Sequence, residues 1–178
     1  MASKTTPSTM NGSGRRKLGS LTVNYDRLLE LLDYDSKTGV FVWKIAVSRG
    51  IKVGQVAGTL GPQGYVRIGI GGTQYRAHHM AWYFVYKVWP KQLDHKDRDR
   101  SNNAIDNLRE ATNSQNQGNR TIDNVTGYKG VTRKGNRYTA QITINYVNTY
   151  LGSFDTPEQA AEAYKQAALA HFGEFTNV

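Results

Sequence analysis

The chain has 178 residues, carries 23 Lys plus Arg against 14 Asp plus Glu for a formal charge of +9, and contains no cysteine. That length suits one or two small domains rather than a large enzyme barrel, and the missing cysteine excludes disulfides, thiolate zinc sites and cysteine nucleophiles together. No run of about 18 apolar residues occurs, and residues 1–20 are polar where a signal peptide needs an apolar centre, so a cytoplasmic protein without a membrane partner is expected. A sequence pI near 9.8 makes nucleic acid the leading partner class.

In chain order, residues 1–20 hold Lys4, Arg15, Arg16 and Lys17 with no acid in a Ser/Thr/Gly-rich stretch, and read as a disordered basic arm. Leu28, Leu29, Leu31 and Leu32 fall at helical spacing over 24–32, and the turn 35–39 leads into a strand, Val40-Phe41-Val42-Trp43. Glycines then punctuate short β-branched runs such as 65–68, with Gly71-Gly72 as a hairpin turn. A helix is expected over 77–88, burying Met80, Ala81, Phe84, Val85 and Val88 and stopping before Pro90. Residues 41–90 contain six Lys or Arg and no acid, a one-sided excess that favours phosphate as a partner.

The polar stretch 112–126 is expected to form a short helix and then a linker. Val131, then Tyr138, Ala140, Ile142 and Ile144, then Leu151 and Phe154 fit three short strands, with a tight turn around 145–148. A last helix opens on Thr156-Pro157-Glu158-Gln159 as N-cap, first-turn proline and capping box. It runs through Ala160, Ala163, Tyr164, Ala167, Ala168 and a packed His171, and stops at Gly173. The fold class is α+β.

The most informative segment is Leu93-Asp94-His95-Lys96-Asp97-Arg98-Asp99-Arg100-Ser101-Asn102-Asn103-Ala104-Ile105-Asp106-Asn107-Leu108-Arg109-Glu110-Ala111-Thr112, continuing to Gln115-Asn116. On a strand, Asp94 and His95 point to opposite sides, so a carboxylate that binds a cation and an imidazole that accepts a proton converge only through a loop crossing. A helix starting near Asn113 brings Asn116 back over the first strand, where its amide oxygen can join Asp94 as a hard ligand for magnesium or manganese. Taken singly, Asp94-His95 reads as a surface pair and the asparagines as turn residues. Together they supply what phosphodiester hydrolysis needs: a histidine neutral near pH 7 to activate water, and oxygen ligands for a cation at the phosphate.

These residues resemble the HNH endonuclease family in its phage-type homing branch, and the likeness extends upstream to Ala77-His78-His79-Met80-Ala81-Trp82, to Trp89-Pro90 and to the stretch 38–44. The resemblance implies a ββα-metal module with one Mg²⁺ or Mn²⁺ held by Asp94 and Asn116, His95 as general base and Asn107 orienting the His95 ring. It also implies 5′-phosphate and 3′-hydroxyl products. Where the family usually has arginine after its first histidine, this chain has His79. His78 and His79 are read as structural or phosphate-contacting, and that choice stays open.

Tyr128-Lys129-Gly130-Val131-Thr132-Arg133, Tyr138-Thr139-Ala140-Gln141-Ile142, 151–161 and Ala163-Tyr164 resemble the plant ethylene-response-factor, or apetala-type, DNA-binding domain. That likeness implies a small three-stranded antiparallel sheet packed on one helix, its open face in the DNA major groove, with Lys129, Thr132, Arg133, Lys134, Gln141, Thr143 and Tyr150 as DNA contacts. Alternation supports the same face independently, since Ala140, Ile142 and Ile144 turn to the helix and leave Thr139, Gln141 and Thr143 outward. Lys, Thr or Asn stand where the plant domains use arginine, so fewer bidentate guanine contacts are available.

The organisation expected is therefore a basic arm (1–20), an HNH module (21–120) and an apetala-type domain (121–178), acting as a metal-dependent, phage-type endonuclease on double-stranded DNA. Neither a zinc clamp nor a small-molecule cofactor is expected, and monomer and dimer stay open. The competing readings are a non-catalytic DNA-binding protein or transcription regulator, and an RNA-binding one; the deep, narrow groove of A-form RNA disfavours the latter.

Overall fold

Helix α1 (Tyr25–Leu31) starts where the Asn24 side chain accepts the Arg27 amide at 2.8 Å, an N-cap that satisfies one of the free first-turn donors. Its leucine stripe buries Leu28 and Leu31, and Leu32 follows into the first strand. The computed structural model describes residues 23–120 and 124–177. The basic arm and the middle of the expected linker, 121–123, lie outside them.

Strands β1 (Leu32–Asp35) and β2 (Val40–Trp43) form a hairpin whose tip packs on the asparagine-rich loop. Gly39 makes that approach possible: its φ is +74°, and a Cβ there would sit 2.2 Å from the Ala104 nitrogen. The Tyr34 hydroxyl donates to the Asn103 carbonyl at 2.8 Å and the Ile105 amide to the Ser36 carbonyl at 3.0 Å, so the hairpin braces the loop from both sides. A second sheet orders β3 (Thr59–Leu60), β4 (Val66–Ile70) and β5 (Thr73–Arg76), the last two joined at Gly71-Gly72 as the sequence predicts.

Helix α2 is Ala77–Tyr86, two residues shorter than expected, because Lys87 takes a left-handed φ of 59° and closes it. Its buried face is Ala77, His78, Met80 and Ala81, whereas Val85 and Val88 are 42% and 63% exposed. The expected stripe is thus corrected toward the helix start. With α1, β1, β2, β4 and β5, that face encloses one hydrophobic core that reaches Leu93 and Leu108.

Leu93 and Leu108 anchor the short antiparallel pair β6 (Leu93–His95) and β7 (Leu108–Glu110), in register Leu93↔Glu110, Asp94↔Arg109 and His95↔Leu108. Helix α3 (Asn113–Gly118) follows, opened by a capping box in which Thr112 accepts the Gln115 amide and Gln115 accepts the Thr112 amide.

The C-terminal part is an antiparallel sheet ordered β10 (Val147–Phe154), β9 (Arg137–Ile144), β8 (Val131–Lys134), covered by helix α4 (Pro157–Phe172). Alternation holds: Ala140 and Ile142 are buried against Ala160, Tyr164 and Ala168. The Thr156 cap and Gly173 stop stand as expected, but His171 is exposed and the packed residue at that end is its neighbour Phe172. This part is docked on α3. Gly118 lies so close to α4 that a Cβ would meet the Phe172 ring at 2.9 Å, and the Asn177 amide donates to the Gly118 carbonyl at 3.2 Å. Among the described residues no helix is long and apolar enough to cross a membrane.

Candidate active site

Strand alternation on β6 sends Leu93 and His95 to one side and Asp94 to the other. His95 is 5% exposed, its ring centroid 4.9 Å from that of His78 and 6.0 Å from that of Tyr65, and its Nε2 is buried without a hydrogen-bond partner. Burial lowers its pKa, while the Asn103 amide beside it and the carboxylates of Asp97, Asp94 and Asp99 pull the other way. The imidazole is therefore neutral at physiological pH, the state in which it accepts a proton.

Asp94 is held by its cross-strand partner: Arg109 Nε and Nη2 donate to Oδ2 at 3.0 and 2.8 Å. Asn119, just past α3, donates its amide to Oδ1 at 3.0 Å, to Oδ2 at 2.9 Å and to the His95 carbonyl at 2.9 Å. Helix α3 brings Asn116 over β6 as the spacing implied: Nδ2 donates to the Leu93 carbonyl at 3.4 Å, and Oδ1 is buried with no partner. An orphaned amide oxygen and a carboxylate lining one cleft are the donor types a hard divalent cation takes. Oδ1 of Asp94 accepts only from Asn119 and keeps lone pairs for such an ion. Among the described residues no three His, Asp or Glu gather at one point for a metal.

The Asn107 side chain does not reach the His95 ring. It donates to Asp97 Oδ1 and the Asn102 carbonyl, both at 2.9 Å, and accepts the Asp97 amide at 3.0 Å, which ties the two ends of the loop 97–107 together. The residue beside His95 is Asn103, 2% exposed, which donates to the Ser101 carbonyl at 2.8 Å and keeps its Oδ1 unpartnered.

His78 is 2% exposed, and burial, reinforced by His79, His95 and Arg76, lowers its pKa to about 2. Its neutral ring packs edge-on against that of His95, with centroids 4.9 Å apart. Half-buried His79 sits edge-on to Trp89 at 5.5 Å, and burial chiefly lowers its pKa to about 4, so it carries no charge for phosphate. Arg76 and Arg100 stack on the Tyr65 ring at 4.7 and 5.1 Å.

Asp94, His95 and Asn116 open into one cleft of about 830 Å³, rimmed by Tyr65, Arg98, Arg100, Arg120 and Tyr146. Residues 75–117 match the HNH endonuclease family. The chain is also 37% identical over 84 residues to an uncharacterized HNH endonuclease of Acanthamoeba polyphaga mimivirus, a match spanning 47% of this chain and 44% of that one. The HNH segment contains β6, β7 and Asp94, His95, Asn107 and Asn116, while the C-terminal sheet lies outside it.

On that sheet, the pairs Thr132↔Thr139, Gln141↔Tyr150 and Thr143↔Asn148 put Thr132, Gln141, Thr143 and Tyr150 on the open face, with Lys134 at its edge opposite Arg137. Two expected members depart from it. Arg133 pairs with Tyr138 and so has the helix-side parity, and its Nε donates to the Gly135 carbonyl at 3.1 Å. Lys129 turns inward, where its Nζ donates to the Gly118 and Arg120 carbonyls and caps the end of α3; burial lowers its pKa to about 8.

The residues that sequence reasoning passed over are Arg109, Asn119, Asn103 and Tyr146. Arg109 was legible as the cross-strand partner of Asp94 once β6 and β7 pair, and Asn119 lies one helical turn beyond Asn116. Tyr146 carries no signal until the hairpin tip is seen to dock beside α3.

Proposed function

We propose that the protein is a metal-dependent DNA endonuclease whose C-terminal sheet, of apetala type, binds double-stranded DNA. The observation that carries the reading is one cleft lined by His95, Asp94 and Asn116, the last with its Oδ1 buried and without a partner. His95 takes the proton of the attacking water, its neutrality maintained by burial. Asp94 and Asn116 would hold one Mg²⁺ or Mn²⁺, which when bound supplies charge neutralisation at the phosphate and its leaving oxygen. Asn107 acts at one remove, by bracing the loop that carries Asn103 to His95. Arg98, Arg100 and Arg120 at the rim meet the phosphate backbone.

Thr132, Lys134, Gln141, Thr143 and Tyr150 form the DNA-facing surface of the sheet. Close packing of the C-terminal part on α3 supports a reading in which reader and cleft address one stretch of duplex at a set spacing. The HNH match and the viral relative support the nuclease reading. The test is end chemistry on cut duplex in Mg²⁺: ligase should reseal the products directly, as 5′-phosphate and 3′-hydroxyl ends require. Ends that need phosphatase and kinase treatment first would contradict the mechanism.

A further inference from the structure

The turn joining β9 to β10 consists of Asn145 and Tyr146, both left-handed, with φ of +48° and +68°. Hairpins of this kind use asparagine then glycine, because the second residue must adopt a conformation in which an L side chain crowds its own backbone. Asparagine meets the first requirement; an aromatic residue is a costly choice for the second. Burial does not offset the cost, since Tyr146 is 79% exposed. Strain of this sort persists where a site uses it.

The ring's place shows the use. The Tyr146 hydroxyl accepts from Asn113 Nδ2 at 3.2 Å and the Asn145 amide donates to Ser114 Oγ at 3.2 Å, which fixes the hairpin tip against the start of α3. Tyr146 thereby lines the cleft that holds Asp94, His95 and Asn116, though it comes from the C-terminal sheet. We propose that Tyr146 is a substrate-contacting residue, its ring stacking on a nucleoside of the DNA strand in the nuclease cleft. This rests on the nuclease reading and extends it: the cleft is composite, and the C-terminal part supplies one of its walls. A tyrosine face takes any base, so the contact adds affinity and placement without sequence preference.

The experiment uses the full chain with Tyr146→Gly, which suits the turn, and Tyr146→Phe, which keeps the ring. Each is measured for thermal melting, for binding to a labelled 30-base-pair duplex without divalent metal, and for steady-state cleavage in Mg²⁺. Tyr146→Gly is expected to melt at or above the wild-type temperature yet bind DNA about tenfold more weakly and raise KM by the same factor, on the scale of one lost base stack. Its kcat and salt slope stay near wild type, and Tyr146→Phe, which keeps the ring and loses only the hydrogen bond from Asn113, keeps wild-type affinity and KM even where its melting temperature falls.

Wild-type affinity and KM in Tyr146→Gly would overturn the proposal, as would Tyr146→Phe behaving like Tyr146→Gly. Should the glycine variant melt lower, Tyr146→Asn, which tolerates the left-handed region, takes its place, and wild-type binding there overturns it. A wild-type chain that binds duplex but never cuts it defeats the nuclease reading alone, and the affinity series still decides the fate of Tyr146.

Discussion

Arg109 places two donors on a single oxygen of Asp94, at 3.0 and 2.8 Å, while the guanidinium carbon lies 3.7 Å from the centre of the Phe175 ring and Nη1 donates to the Glu174 carbonyl at 3.0 Å. The C-terminal end of the chain thus holds the residue that holds the site carboxylate.

The pair is buried, its side chains 11% and 10% exposed. Removing one partner of such a pair leaves the other charge uncompensated, at about 3–5 kcal/mol. Asn119 keeps its bonds to Asp94, so Arg109→Met is expected near the low end, about 3 kcal/mol less stable in urea unfolding. Adding Asp94→Asn should restore most of that loss, because the stranded charge is gone; strict additivity of the two changes would contradict the coupling.

The Asn116 side chain makes one long hydrogen bond, at 3.4 Å, and its oxygen makes none. Asn116→Ala should therefore change unfolding free energy by less than about 1 kcal/mol while lowering cleavage by on the order of 100-fold, as loss of a metal-site group does. A loss of stability that accounts for the lost cleavage would make Asn116 structural.

His78 and half-buried His79 should contribute to the acid limb of stability. The folded-state pKa values of His78 and His79 fall from 6.5 to about 2 and about 4. Below pH 6.5 the unfolded chain takes up protons that the folded one refuses, so stability is complete above that pH and falls as pH drops. The His79 share ends near pH 4 and the His78 share continues toward pH 2. Each histidine contributes a slope of up to about 1.4 kcal/mol per pH unit. His78→Gln should flatten the limb between about pH 4 and 6 in urea titrations at fixed pH; an unchanged slope would mean that this ring titrates in the folded protein.

Lys134 and Lys129 separate surface from scaffold. Lys134 is exposed at the sheet edge, so Lys134→Ala should reduce the slope of log K against log salt by about one. Lys129 caps α3 from inside, so Lys129→Ala should leave that slope unchanged and lower the melting temperature instead. The reverse pattern would return Lys129 to the DNA surface.

Local patterning carried most of the fold. Leucine spacing in α1, the Gly71-Gly72 hairpin, the Thr156-Pro157 start of α4 and the alternation of Ala140 and Ile142 all depend on neighbours in sequence, and all are found in place. Val85, Val88 and His171 were misplaced because helical periodicity gives an apolar stripe but not which end of it meets a partner. Lys129 and Asn107 bond backbone and loop partners brought near by tertiary packing, and composition cannot rank those against a phosphate or an imidazole. The contacts that join the C-terminal turn to Arg109 and the β9–β10 tip to Asn113 cross more than 30 positions, beyond the reach of any local pattern.

The central claim is that His95 and the Asp94–Asn116 pair make this cleft hydrolytic. Supercoiled plasmid incubated in Mg²⁺ or Mn²⁺ with wild type, His95→Ala and Asn116→Ala, at protein concentrations giving equal DNA occupancy in a gel-shift, tests it most directly. The account predicts nicked or linear plasmid with wild type only, abolished by chelator, and intact plasmid with both variants. Equal cleavage by His95→Ala, or DNA retarded but never cut by wild type in either metal, would contradict it.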